Sequence, residues 1–242
     1  MYKRQSQYEG FSQYYDELTQ DQPYNQWLEI IRQATSKRTS ILDIGCGTGS
    51  LTTLLTDFKS VTGMDLSSDM LAVASQKSDS VRWIEGDMTD FELGQNFDVI
   101  TILCDSLNYI TDQHDVIETF KHVYRHLNTD GTFIFDVHSK FKMNTLFANQ
   151  TYIDETEHIF LAWEAIQGDL PDSVWHYMTF FEQQDDGSYR RFDEEHFQKT
   201  FSEQAYIEML NEVGFSHIHT FYDFDIENHD EQSDRLFFIV KK

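Results

Sequence analysis

The sequence predicts an α/β fold with a mostly parallel sheet, into which a small antiparallel β meander is inserted near residues 140–200. Three observations carry this prediction. Residues Ser40 to Phe58 read as strand, glycine loop and helix. Apolar strands then recur at Ser60–Leu66, Val81–Met88, Phe97–Leu103 and Thr132–Val137, and a helical pattern precedes the last of them. Beyond residue 140 the spacing changes to alternating runs separated by Gly, Pro and Asp-Gly turns, a hairpin signal. A chain of 242 residues with 40% hydrophobic residues can bury one sizeable core, so one domain over residues 1–242 is expected.

Taken in order, the N-terminal segment crowds Tyr8, Phe11, Tyr14 and Tyr15 into a polar stretch. It is either an apolar edge docked on the core or a lid over a bound ligand. Residues Met1–Gly10 do not read as a secretory signal. Pro23 suits the first turn of a helix, and Trp27, Ile30 and Ile31 give that helix an apolar face. Ser40–Ser50 reads S-I-L-D-I-G-C-G-T-G-S. Ile41, Leu42 and Ile44 end a buried strand, and Leu51, Leu54, Leu55 and Phe58 follow at helical spacing. Glycines at alternate positions let the backbone approach a ligand closely, and the N–H groups opening a helix would face it. A dinucleotide turn would read G-x-G-x-x-G. Here Asp43 precedes the loop, and a carboxylate there suits a cationic amine better than a pyrophosphate.

Asp65 ends the second strand roughly 20 residues past the loop, where a ribose-binding acid belongs. Capping the next helix is its alternative role, but Ser67, Ser68 and Asp69 are better caps. The third strand ends in Gly86-Asp87-Met88, and the fourth runs into Cys104-Asp105-Ser106-Leu107-Asn108-Tyr109. Asp112–Leu127 reads as a helix in which Val116, Phe120, Val123 and Leu127 share a face. His122 and His126 lie one turn apart on what looks like an exposed face, and no metal site is expected. Gly131 turns into the fifth strand, and His138 follows its end.

Glu157–Ile166, Val174–Gln183 and Ser188–Lys199 read as the meander's strands, carrying Trp163, Trp175, Tyr177, Phe180 and Phe181. That small sheet is a substrate roof, a homodimer surface or plain packing. Phe201–Val213 is the last helix, with Ser202 as N-cap and Gly214 as stop. Phe215–Phe224 and Leu236–Val240 are the closing strands, and His217 and His219 on the first of them read as structural.

The D-x-G-x-G-x-G loop, the acid at Asp65 and the G-D-M turn at Gly86–Met88 together resemble class I S-adenosylmethionine-dependent methyltransferases. The similarity runs from about Tyr8 to Phe141 and from His196 to Lys242. It implies a Rossmann-like, seven-stranded, mostly parallel sheet with helices on both faces and one reversed strand. It also implies S-adenosyl-L-methionine as cofactor and S-adenosyl-L-homocysteine as product. On that resemblance Asp43, Gly45, Cys46 and Gly47 cradle the methionine end and Asp65 holds the ribose. Leu66 and Met70 give apolar contact near the adenine, with core packing the alternative for Met70. Gly86, Asp87 and Met88 hold the base, and Cys104 and Tyr15 border the methyl group. His138, Tyr109 and His176, in that order, are candidates for a proton acceptor.

The formal net charge of -24 argues against nucleic acid and against an anionic membrane surface. It favours a small-molecule acceptor. Two cysteines make no disulfide framework, which suits a cytoplasmic protein. Two other readings stand beside the enzyme: a cofactor-binding protein without turnover, and an NAD(P)-dependent oxidoreductase.

Overall fold

The computed structural model describes residues 14–36 and 38–242. Tyr8 and Phe11 lie outside them. In chain order the elements are α1 (Tyr15–Leu18), α2 (Tyr24–Ala34), β1 (Ser40–Ile44), β2 (Ser60–Asp65), α3 (Ser68–Lys77), β3 (Arg82–Glu85) and β4 (Phe97–Ile102). Then come α4 (Gln113–His126), β5 (Leu127–His138), β6 (Gln150–Glu155), β7 (Ile159–Gln167), β8 (Ser173–Gln183) and β9 (Tyr189–Lys199). The chain closes with α5 (Glu203–Val213), β10 (Ser216–Tyr222) and β11 (Arg235–Lys241).

Seven strands form one sheet in the order β10-β11-β5-β4-β1-β2-β3. The pairings from β3 through β5 are parallel, and β11 runs antiparallel to both its neighbours. Both faces are covered, as parallel sheets require. Leu42, Ile44, Ile100, Ile102, Phe133 and Phe135 pack under α4 and α5. Ile41, Val99, Ile134 and Phe237 meet α2 and the chain at Leu51–Phe58 on the other face. The expected reversed strand, the Ser202 cap and the left-handed Gly214 stop are all present.

Four sequence expectations need correction. The run after the glycine loop is only a 3-10 turn, Thr52–Leu54. Leu51, Leu55 and Phe58 are still buried, but Thr52 turns its hydroxyl inward to Asp43, and β-branched residues are weak helix formers. No long helix N-terminus therefore faces the loop. The fifth strand begins earlier, at Leu127, and passes through Gly131 with a shift of register. The meander has four strands, because β6 pairs with β7. Its mostly exposed, polar residues hid it from periodicity. Finally, His126 is buried and His122 partly so. His126 Nε2 accepts from the Leu93 N–H, and His122 Nδ1 meets the Phe91 carbonyl. They pin the loop before β4 instead of facing water.

The four-stranded sheet lies against the strand tips. Ile159, Leu161 and Phe180 share an apolar cluster with Met70, Tyr14, Tyr15 and Leu18. Met70 thus serves the core between the two layers. No helix among the described residues is long and apolar enough to cross a membrane.

Candidate active site

The tip of β1, the glycine loop and the chain just past β4 converge on a cleft lined by Tyr15, Asp43, Gly45, Cys46, Gly47, Cys104 and Ser106 among others. Gly45 stands at φ +69 and Gly47 at φ +54. A Cβ on Gly45 would fall 2.6 Å from the Ser106 Cβ, whereas on Gly47 it would meet nothing within 4 Å. Gly45 therefore permits close packing, and Gly47 leaves bare backbone facing open space. Both cysteines are free thiols, each raised above the usual range chiefly by burial.

Asp43 is buried under the loop. Thr52 Oγ1 donates to its Oδ2 at 2.6 Å and Thr101 Oγ1 to its Oδ1 at 2.8 Å. Burial, with a smaller push from the Asp65 charge, raises its carboxyl to about 6. Asp65 accepts the Gly47 N–H at 2.7 Å and the Ser67 N–H at 2.9 Å, and burial raises it too. Among the described residues neither acid touches a basic side chain. A buried carboxylate and a half-buried one beside a glycine loop, with no cation on either among the described residues, form a site for a ligand that brings its own positive charge.

A pH dependence follows. The native state keeps the Asp43 proton up to about pH 6, while an unfolded chain releases it near 4. Stability from this group therefore falls as pH rises through that window, by up to about 3 kcal/mol. Urea titrations from pH 4 to 6.5 should show wild type losing stability relative to Asp43→Asn. Parallel slopes would mean that Asp43 ionises in the ordinary range.

At the third tip, Asp87 Oδ1 accepts from the Thr89 N–H at 2.9 Å and from Thr89 Oγ1 at 2.7 Å. A Cβ on Gly86 would fall 2.8 Å from Met64 Sδ, so a larger residue there would have to displace the Met64 side chain. Met88 is half-buried against the core, and Leu66 is 47% exposed. Over the cleft, α1 is tied to both layers. Asp16 accepts from Thr48 Oγ1 at 2.6 Å and Ser50 Oγ at 2.9 Å, and Tyr14 bonds Glu182 of β8.

Behind the loop that follows β4 lies a largely buried network. Cys104 and Asp105 both take left-handed backbone, φ 55 and 56. Asp136 Oδ1 accepts the Cys104 N–H at 2.9 Å and Trp27 Nε1–H at 3.2 Å, and Asp136 pairs with Arg235. Arg235 Nη2 also donates to Asp105 Oδ1 at 3.0 Å. His138 Nε2 lies 3.3 Å from Asp105 Oδ2. Burial foremost holds His138 down at about 4, so its ring is neutral at pH 7. Burial opposes the charge on Asp105, but His138, Arg235 and Lys142 outweigh it and hold that carboxyl well below its usual range.

The three proton-acceptor candidates separate cleanly. His176 Nδ1 accepts from Trp163 Nε1 at 3.1 Å, so its Nε2–H donates to Gln198 Oε1 at 3.1 Å, and no nitrogen is spare. Tyr109 bonds His196 Nδ1 at 3.4 Å. His138 donates from Nε2 to Asp105 and keeps a bare, buried Nδ1. Sequence reasoning gave no role to Asp105, Asp136, Gln198 or Arg235. Asp136 alone left a signal, a single acid inside an apolar strand.

A family model described as "Methyltransferase domain" matches residues 41–131. The methyltransferase-family protein YqeM of Bacillus subtilis (strain 168) is 42% identical over 97% of each chain. A sugar enzyme of Streptomyces fradiae, dTDP-3-amino-3,6-dideoxy-alpha-D-glucopyranose N,N-dimethyltransferase, is 33% identical over 43% of this chain and 42% of its own. Among solved structures, an S-adenosylmethionine-dependent methyltransferase from Clostridium acetobutylicum ATCC 824 superposes with a TM-score of 0.85. It is 31% identical and covers 97% of this chain and 98% of its own.

Proposed function

The chain belongs to the class I S-adenosylmethionine-dependent methyltransferases, and on that premise we propose that it methylates a small-molecule acceptor by in-line displacement beside the Cys104 loop. It is an enzyme, and S-adenosylmethionine is its methyl donor. The small-molecule part of the reading is supported by the net charge of -24 and by the sugar substrate of the Streptomyces relative.

The observation that carries the site assignment is the buried Asp43 and the half-buried Asp65, neither with a cation among the described residues, beside an open glycine backbone. These residues fit the donor, whose amine and sulfonium are positive. In this reading Asp43, Gly45, Cys46 and Gly47 hold the methionine end, and Asp65 takes the ribose hydroxyls. Asp87, with the Gly86–Met88 backbone, takes the adenine, and Leu66 covers it. Tyr15 and Cys104 border the reacting side. Bound there, the donor supplies an electrophilic methyl group. The chain's own work is to hold the acceptor in line, exclude water and remove a proton.

His138 is the proton acceptor in this proposal, because its Nδ1 is the spare nitrogen among the candidates. At about 4 it is a weak base. Its contribution should therefore fall below the usual 10²–10⁴-fold, at about tenfold. His138→Gln keeps a donor toward Asp105 and should lower kcat about tenfold with homocysteine-product affinity unchanged. Full turnover of that variant from pH 6 to 9 would remove His138 from the chemistry.

Titration with S-adenosylhomocysteine and with NADH, read as thermal shift, tests the whole reading. At a hundredfold excess over Kd, S-adenosylhomocysteine should raise Tm by about 5–10 °C. NADH should leave it in place. Fractionated metabolite extract should then release S-adenosylhomocysteine from the small-molecule fraction and not from the protein fraction.

A further inference from the structure

The inner face of the meander is apolar apart from His176 on β8 and a row of polar residues along β9. There Glu194, His196 and Gln198 alternate inward and are all buried, while Glu195 points out. Two of the three are accounted for. Gln198 receives the His176 N–H and donates to Asp105 Oδ2 at 3.2 Å. His196 meets Tyr109 at 3.4 Å. Glu194 is not accounted for. It is 5% exposed, and its nearest polar partner among the described residues is His196 Nε2, 3.9 Å away and beyond hydrogen-bond reach. Met178 stands opposite it on β8, and Phe192 precedes it on the same face, stacked on Phe180 and Tyr14. Burial alone lifts its carboxyl to about 8.

A nearly buried carboxyl with no hydrogen-bond donor among the described residues is costly and calls for an explanation, and a bound ligand that supplies the donor is one. This one lies on the inner face of the layer that covers the strand tips. Tyr14 and Tyr15 of the cleft-covering segment share its apolar surround, and Tyr109 of the loop after β4 lies beyond His196. We propose that Glu194 is the specificity-determining residue for the acceptor and that it receives a protonated amine carried by that small molecule. His196 and Tyr109 form the polar wall behind it, and Met178 and Phe192 take the apolar body of the molecule. A hydroxyl-only acceptor would leave Glu194 with a weaker, neutral hydrogen bond. The inference rests on the methyltransferase reading above, since it places the acceptor against the same cleft.

Cyclohexylamine and its neutral counterpart cyclohexanol are suitable probes. The full chain, labelled with carboxyl-¹³C glutamate and saturated with S-adenosylhomocysteine, is titrated with each. The amine should shift the Glu194 carboxyl resonance saturably toward the ionised position. The alcohol should bind about tenfold more weakly or more, as expected for losing a charge-assisted hydrogen bond. Glu194→Gln should abolish the preference for the amine. Glu194→Leu should also abolish it while raising Tm by a few degrees, since it replaces an unsatisfied buried acid with an apolar side chain. A purely structural acid would lower Tm instead. Equal binding of the two probes, or an amine preference that survives Glu194→Gln, overturns the proposal. If wild type fails to bind S-adenosylhomocysteine at all, the fault lies with the cofactor reading and not with Glu194.

Discussion

Replacing Arg235 by Met should cost about 3–5 kcal/mol, the usual penalty for removing one partner from a buried ion pair. In a chain of this size that lowers Tm by about 6–20 °C. Arg235 is 9% exposed and serves two acids, Asp136 with no exposure and Asp105. Burial and the Asp105 charge push the Asp136 carboxyl up, and the guanidinium pulls it back, so the ionised pair depends on Arg235. Without the guanidinium Asp136 is left in the interior without its cation, and the half-buried Asp105 loses one of its partners. The damage should reach the site, because Asp136 also holds the Cys104 and Asp105 N–H groups in left-handed backbone. Non-glycine residues keep that conformation only when their surroundings enforce it, at about 1–3 kcal/mol each. Arg235→Met/Asp136→Asn should regain part of the loss, because the amide oxygen still accepts while one uncompensated charge is gone. Urea unfolding of the two variants checks this. A single variant within 1 kcal/mol of wild type would show that the network carries little stability.

Asp65→Ala should weaken S-adenosylhomocysteine binding about a hundredfold, measured by calorimetry, with little change in Tm. The expected loss comes from charge-assisted hydrogen bonds worth about 1.5–3 kcal/mol each. The native state gains little from this acid on its own, since burial raises its carboxyl against two backbone donors. Asp65→Asn separates its two roles. The amide can still accept from Gly47, so the loop survives, but one of the acceptor oxygens becomes a donor. Its affinity should lie between those of wild type and the Ala variant. If Asp65→Ala bound S-adenosylhomocysteine as wild type does, the ribose assignment would be wrong.

The parallel half of the fold was legible because its signals are local. Ile41–Ile44 and Phe97–Leu103 are mostly apolar runs, and the glycine loop announces its turn within seven residues. The positions of Asp43, Asp65 and Asp87 were legible for the same reason: each stands at a strand's last residue or within two residues of it. Four features escaped for physical reasons. The helix expected after the loop failed because side-chain bonding of Thr52 to Asp43 outweighed apolar spacing. Strand β6 was hidden because an exposed edge strand carries little pattern. His122 and His126 looked exposed because their partners, Phe91 and Leu93, sit about thirty residues away in a loop with no periodicity. Arg235 and Glu194 were invisible because their meaning is tertiary, one a partner to two distant acids and the other an acid with no hydrogen-bond donor among the described residues.

The sequence separation inside that ion network bears on how the molecule assembles. Asp136 and Arg235 are 99 residues apart, and Asp105 and Arg235 are 130 apart. Contacts of that range close late, because chain entropy must be lost before they contribute. During synthesis both acids leave the ribosome well ahead of their cation, and the β5 edge stays open until β11 slots beside it. We therefore expect Arg235→Met to refold at nearly the wild-type rate and to unfold much faster, which stopped-flow chevrons would display directly.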